Sequence, residues 1–371
     1  MIDSFPYDYA ASFLNHHLWR LERDIVQRRS FIRTLGAAAL ATTVAGAAGC
    51  SDDDTDGGPG DAGALEKITY LTSFGTFGRD AYAYVAKEKG YFSDAGFDVD
   101  IKPGNGSLEN VKAIVGGTAQ FTPIDLTGGL LAAGGANGQP KVTGFTAVAA
   151  IQQRTMAAIM SLAGYGIGTP KDLEGRTIAD TPGSVVRNLF PTYAKLAKID
   201  ASKVTFVNGT AQTLFGTLAQ HKVDAIGQFV VGKPTIEAIA KKDAVLLPYS
   251  DVLQDLYGNV LITGADYAKA SPEKVTKFTE ALLKGLQDAV TKPEEAGTIL
   301  QKYVSTAVPA SAAAELTLMN SFVRSESSGV PVGALDTERV ARCIAILQGA
   351  GQIPTGLKPQ DIISFDLVPK A

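Results

Sequence analysis

The chain has 371 residues and a near-balanced charge, 34 Lys and Arg against 38 Asp and Glu, for a net charge of −4. A mildly acidic chain without a basic cluster lacks the electrostatic footprint of a nucleic-acid binder. Three histidines (His16, His17 and His221) and two cysteines (Cys50 and Cys343) exclude a histidine-rich zinc site and any disulfide framework.

The first fifty residues read as a targeting region rather than as fold. Met1–Val26 is longer than an export signal needs. Gln27-Arg28-Arg29-Ser30-Phe31-Ile32-Arg33 has the form of a twin-arginine (Tat) export motif. Thr34–Ala48 is uncharged, small and apolar, the size of a signal h-region. It is too short for the roughly twenty apolar residues that span a bilayer. Ala47-Ala48-Gly49-Cys50 then resembles a lipobox, with Ala47 where Leu or Val is commoner. Cys50 is thus the expected site of lipidation, and residues 1–50 a Tat-type lipoprotein signal region. Residues 51–65, rich in Asp and Gly, have little to bury and are expected to form a disordered leash. The protein is expected outside the cytoplasm, held to the cell membrane by lipid, as a monomer.

About three hundred residues follow, enough for two cores. In chain order, Ile68–Leu71 reads as a strand, Arg79–Lys89 as a helix and Phe97–Ile101 as an alternating strand. Leu108–Val115 is a helix, Ala119–Pro123 a strand, Thr127–Ala136 a helix and Val142–Ile151 a longer strand. The pattern restarts with strand Thr177–Asp180, helix Ser184–Ala197, strand Val204–Val207 and helix Ala211–Gln220. Strand Asp224–Gln228, helix Pro234–Lys241 and strand Ala244–Pro248 complete the second run. Pro272–Val290, Glu294–Tyr303, Ala310–Val323 and Thr337–Leu347 are helices with little strand between them. Strands alternating with helices of this length predict βαβ units and mostly parallel sheets. The expected fold is therefore α/β with two lobes. Residues 66–160 and 258–371 form the first, with the helical tail packed back on it, and 161–257 the second. Cys343, at helical spacing with Val340, Ile344 and Leu347, is expected to be a buried structural thiol.

Several segments then carry a family resemblance. "YAYVAKEKGYFSDAGFDVD", Tyr82–Asp100, resembles the first helix and second strand of the solute-binding family that takes up alkylsulfonates, nitrate, taurine and pyrimidine precursors of thiamine. Gly116–Phe121 resembles that family's Gly-x-Ala-Asp-Phe turn, with Gln120 in place of Asp. Thr169–Ile178 resembles the start of its second lobe, and Thr181-Pro182-Gly183-Ser184 its glycine–serine turn. The resemblance implies the type II periplasmic-binding-protein fold, a permease of an ABC importer as partner, and closure of the two lobes over ligand. It implies no cofactor and no metal. Two other readings remain open: the binding module of a sensor system, and an enzyme like the eukaryotic relatives that make the thiamine pyrimidine. Those enzymes use a histidine and a cysteine-rich motif; here His221 and Cys343 stand alone after Leu65.

In open α/β sheets ligands sit beyond the carboxyl ends of the strands, which selects the candidate binding residues. Phe74 and Phe77, in the glycine-rich loop after the first strand, are placed to stack on a planar ligand, and Arg79 follows them. Asn105 lies in a turn after the second strand, and Asp125, after the third, is placed to accept from a ligand amine or to cap a helix. Ser184 opens a helix whose N-terminus favours acceptors and negative charge, and Arg187, one turn in, could clamp a carboxylate or sulfonate. Gln228 and Phe229 end a strand, while Tyr257 and Asn259 lie where the chain returns to the first lobe. The arginines favour an organic anion. The phenylalanine loop with Asp125 and Asn105 favours an aromatic heterocycle such as a pyrimidine or flavin, and the wording of the first helix leans the same way. Trp19, the one tryptophan, precedes the export motif, which disfavours a cage for quaternary ammonium.

Overall fold

A computed structural model describes residues 64–135, 140–325 and 329–370. The export motif, the lipobox with Cys50 and most of the leash lie outside these residues. No helix among the described residues is long and apolar enough to cross a membrane.

The first lobe starts with β1 (Glu66–Leu71), whose alternation buries Ile68 and Tyr70. A short β2 (Phe74–Gly75) and a 3-10 turn at Gly78–Asp80 lead into α1 (Ala81–Glu88) and α2 (Tyr91–Asp94). Then come β3 (Phe97–Lys102), β4 (Gly104–Asn105), α3 (Ser107–Val115), β5 (Phe121–Asp125), α4 (Leu126–Gly134) and β6 (Phe145–Ala150). The chain crosses to the second lobe at β7 (Ala157–Leu162), followed by β8 (Thr177–Asp180), α5 (Val185–Leu196), β9 (Thr205–Asn208) and α6 (Leu214–Ala219). β10 (Ala225–Phe229), α7 (Lys233–Ala240) and β11 (Ala244–Pro248) complete that lobe. β12 (Asn259–Gly264) returns, and α8 (Ala265–Ala270), α9 (Pro272–Thr291), α10 (Pro293–Tyr303), α11 (Pro309–Val323) and α12 (Thr337–Gly349) follow.

The two five-stranded sheets are ordered β3-β1-β5-β12-β6 and β11-β7-β10-β8-β9. Each is mixed rather than mostly parallel. The βαβ runs pair in parallel, β3-β1-β5 and β10-β8-β9, as the helical crossovers require. The strands that enter or leave by direct connection, β6, β7, β11 and β12, pair antiparallel. The expected long strand over 142–151 ends at Ala150, and β7 and β12 were not expected at all. Both are central strands buried on both faces, so "AAIMSL" and "NVLITG" show no alternation to read.

α9 shows why the tail packs on the first lobe. Val275, Phe278, Leu282 and Leu286 recur at helical spacing and are fully buried. The Phe278 ring stacks on Phe121 at 3.8 Å and on Phe92 at 4.9 Å, joining helix, sheet and α2. Between the lobes the two connecting segments bond to each other. The N–H groups of Ile151 and Gln152 donate to the Asn259 carbonyl at 2.7 and 3.1 Å, and Thr155 donates to Leu256 at 2.9 Å. Cys343 is 1% exposed, its thiol donates to the Asp255 carbonyl at 3.2 Å, and burial pushes its pKa up to about 11. This is the inert thiol the helical spacing predicts. His221 is exposed and stacks on Tyr165 at 3.6 Å.

Candidate functional site

Strand ends from both sheets converge on one cleft. The space within it that a water molecule can reach is about 90 Å³. From the first lobe come Ser73 and Phe74 after β1, Asn105 to Glu109, Asp125 at the end of β5 and Asn259 at the start of β12. From the second come Asp180 to Val186 after β8, and Gly227, Gln228 and Phe229 at the end of β10.

The loops are fixed by the fold. β2 and β4 pair Phe74 with Asn105. Behind them the buried Asn110 side chain donates to the carbonyls of Thr72 and Ser73 at 2.9 and 3.1 Å, and to the Thr122 hydroxyl at 2.9 Å. Its own oxygen accepts from the Asn105 N–H at 3.0 Å, so one amide holds both loops of this wall. Asn259 lies opposite Asp125 in the β5–β12 register, and its N–H donates to the Gln152 side chain at 2.8 Å.

Two buried carboxylates dominate the electrostatics, one from each lobe. Asp125 is 3% exposed and caps α4: Oδ1 accepts from the Thr127 N–H at 2.9 Å, whereas the buried Oδ2 has no hydrogen-bond partner. Burial pushes this carboxyl up to about 7, against the pull of the Thr127 and Gly128 N–H groups and of the nearby Thr127 and Thr155 hydroxyls. Asp180 accepts from the Thr181 N–H at 2.7 Å and from the Ser184 hydroxyl. Burial pushes it up to about 6, the hydrogen bonds from Ser184 and Thr181 opposing that shift. Gly227 is required beside it, since a Cβ there would lie 2.2 Å from the carboxylate. The hydroxyl of Thr181, also on the wall, is buried without a partner.

The cleft brings together seven of the residues picked from the sequence: Phe74, Asn105, Asp125, Ser184, Gln228, Phe229 and Asn259. Four others stand away from it. Phe77 packs edge-on to Phe215 at 6.4 Å. Arg79 is buried behind the wall, its guanidinium donating to the Phe74 carbonyl at 3.0 Å and lying 4.6 Å from the Phe77 ring. Arg187 turns outward to the Asn208 side chain at 2.8 Å, over the Phe206 ring. Tyr257 is buried, with its hydroxyl accepting from the Asp336 N–H at 3.0 Å and its ring under the Arg339 guanidinium at 4.0 Å. Neither arginine of the anion reading therefore lines the cavity, and no lysine or arginine does among the described residues. The Ser184 hydroxyl is committed as well: it donates to Asp180 and accepts from the Arg187 N–H at 3.0 Å. Ser73, Asp180 and Thr181 are wall residues that sequence reasoning missed. The signal for Asp180 was an acid at a strand end, four residues ahead of a capping serine.

Residues 80–296, more than half of the chain, match the family described as NMT1/THI5 like. The chain belongs to that family. Over 248 residues it is 25% identical to the formylaminopyrimidine-binding protein of Halalkalibacterium halodurans, covering 64% of this chain and 70% of the relative. Over 249 residues it is 26% identical to the riboflavin-binding protein RibY of Chloroflexus aurantiacus, 66% of this chain and 68% of the relative. The crystal structure of the periplasmic aliphatic sulphonate binding protein SsuA of Escherichia coli superposes with a TM-score of 0.63 at 13% identity, over 81% of this chain and 98% of that one. At that identity the likeness speaks for the fold, which is that of the periplasmic binding proteins. All three of these proteins are named as binding proteins.

Proposed function

We propose that the chain is the extracytoplasmic solute-binding protein of an ABC importer, and that its cargo is a neutral aromatic nitrogen heterocycle of the aminopyrimidine or flavin kind. One observation carries this reading: the cleft presents two buried carboxylates, three amide side chains and two phenylalanines, with no lysine or arginine on its walls among the described residues. An anionic sulfonate or nitrate held there would be buried beside two acidic residues with no lysine or arginine to meet its charge, which is unfavourable. A heterocycle carrying N–H donors meets the opposite environment. Asp125 Oδ2, buried and unpartnered, accepts from an exocyclic amine; Asn105, Gln228 and Asn259 fix the ring edge; Phe74 and Phe229 offer their faces. The names of the two sequence relatives, both binders of nitrogen heterocycles, support the same class.

The remaining parts of the reading concern delivery. The Tat motif exports the folded chain, Cys50 takes the lipid, and the leash of residues 51–65 gives the domain its reach to the permease. The two lobes, with the whole of β7 on the second and so a boundary ahead of residue 157 rather than at 160, are the bodies that close on ligand.

A thermal-shift panel of formylaminopyrimidine, riboflavin, an alkanesulfonate and nitrate tests the cargo. A ligand at one hundred times its Kd adds about 2.7 kcal/mol, which is roughly 5–10 °C of midpoint for a domain of this size. The expected result is a shift with a heterocycle and none with the anions. A shift with the sulfonate or nitrate alone would rule the reading out.

A further inference from the structure

The wall that carries Phe74 continues into a buried charged cluster on its far side. Glu315, from α11, is 2% exposed and accepts two hydrogen bonds. Its Oε2 accepts from the backbone N–H of Arg79 at 3.1 Å, and its Oε1 from the hydroxyl of Thr235 at 2.7 Å. Arg79 belongs to the first-lobe loop after β1, whereas Thr235 sits in α7 of the second lobe, shortly after Phe229. The Arg79 guanidinium in turn donates to the Phe74 carbonyl at 3.0 Å and lies 5.2 Å from the Phe229 ring centroid. One carboxylate and one guanidinium thus reach both segments that bring an aromatic ring to the cleft.

The surroundings are built for this contact. Asp80, 2% exposed, accepts from the Phe77 N–H at 3.0 Å and keeps the loop in shape, and Phe77 packs on the second-lobe ring of Phe215. Gly78 allows the close approach: a Cβ there would lie 2.4 Å from the Ala312 Cα of α11. Burial raises the Glu315 carboxyl, and Arg79 pulls it back down. Glu315 is thus met by the Arg79 N–H and charge from one lobe and by the Thr235 hydroxyl from the other.

We propose that Glu315 is a positioning residue for the cleft: by holding the Arg79 N–H and the Thr235 hydroxyl together, it couples the seat of Phe74 on one lobe to that of Phe229 on the other. The contacts that carry this coupling lie behind the cleft wall and do not depend on the identity of the cargo.

Hydrogen exchange on the ligand-free full chain tests it. Thr235→Val keeps the side-chain shape and removes the hydroxyl from the second lobe. The backbone amides of residues 73–80, on the first lobe, should then exchange roughly three- to tenfold faster, the effect of one lost hydrogen bond. Thr235→Ser should restore the wild-type rate. Unchanged exchange over 73–80 in Thr235→Val would overturn the proposal, as would an equal acceleration in Thr235→Ser, which would assign the effect to methyl packing. If Thr235→Val does not fold, Glu315→Gln carries the test. Faster exchange over both 73–80 and 229–235 supports coupling, and acceleration confined to one of them contradicts it.

Discussion

Asp125 illustrates how much one residue is asked to do. Its Oδ1 caps a helix while its Oδ2 is buried without a partner, so ionisation in the folded state is disfavoured and the carboxyl titrates at about 7 instead of its usual 3.8. A raised folded-state pKa means that the native protein holds the proton more tightly than the unfolded chain. The stabilisation tied to that proton is complete below about pH 4 and is lost as pH rises through about 7. Asp125→Asn, which cannot ionise, should therefore gain on the wild type in unfolding free energy as pH goes from 5 to 8. Urea titrations of the two proteins without ligand at both values check this, and a difference independent of pH would refute it. That Asp125 caps a helix was legible from its place after a strand and before a helix. The Arg187 role was misread because sequence gives a residue's turn on a helix but not which way a long side chain leaves it. Arg187 finds Asn208 on β9, a partner that only the β8–β9 pairing brings near.

At the scale of elements, the βα runs were readable because amphipathic helices and half-buried strands leave a period in the sequence. β3 and α9 are such cases, and their residues emerge where the spacing puts them. β12 is the opposite case. Val260, Leu261 and Ile262 are all fully buried between β5 and β6, so nothing polar interrupts the run. Its sequence is compatible with a strand or a buried helix, and only the pairing partners decide. The same burial makes it costly to disturb. Ile262→Ala should lower the unfolding free energy by about 2–5 kcal/mol, read from the denaturant midpoint. A loss below about 1 kcal/mol would mean that the sheet is not the continuous core described. The wall loops depend on a less obvious feature, the single amide of Asn110, which a sequence reading gives no reason to single out from its helix.

At the scale of the molecule, the two mixed sheets meet at a pair of mutually bonded connections, and the cleft opens at the strand ends beyond them. The two-lobed plan was legible because the βα pattern runs, stops and restarts; the outward crossing ahead of β7 was not, because β7 has no alternation to mark where the second sheet begins. Attachment to the membrane is a separate claim and rests on residues outside those described. If Cys50 carries the lipid, Cys50→Ala should move the exported protein from the membrane fraction to the soluble one, and retention on the membrane would exclude the anchor. The account as a whole turns on what the cleft accepts. Titration calorimetry of formylaminopyrimidine and of an alkanesulfonate, each into the wild type and Asp125→Asn near neutral pH, addresses that directly. The account predicts saturable heat with the heterocycle, a Kd at least about tenfold weaker in the variant, equivalent to about 1.4 kcal/mol, and no heat with the sulfonate. Saturable sulfonate binding that Asp125→Asn leaves unchanged or strengthens, with no heterocycle binding, would contradict it.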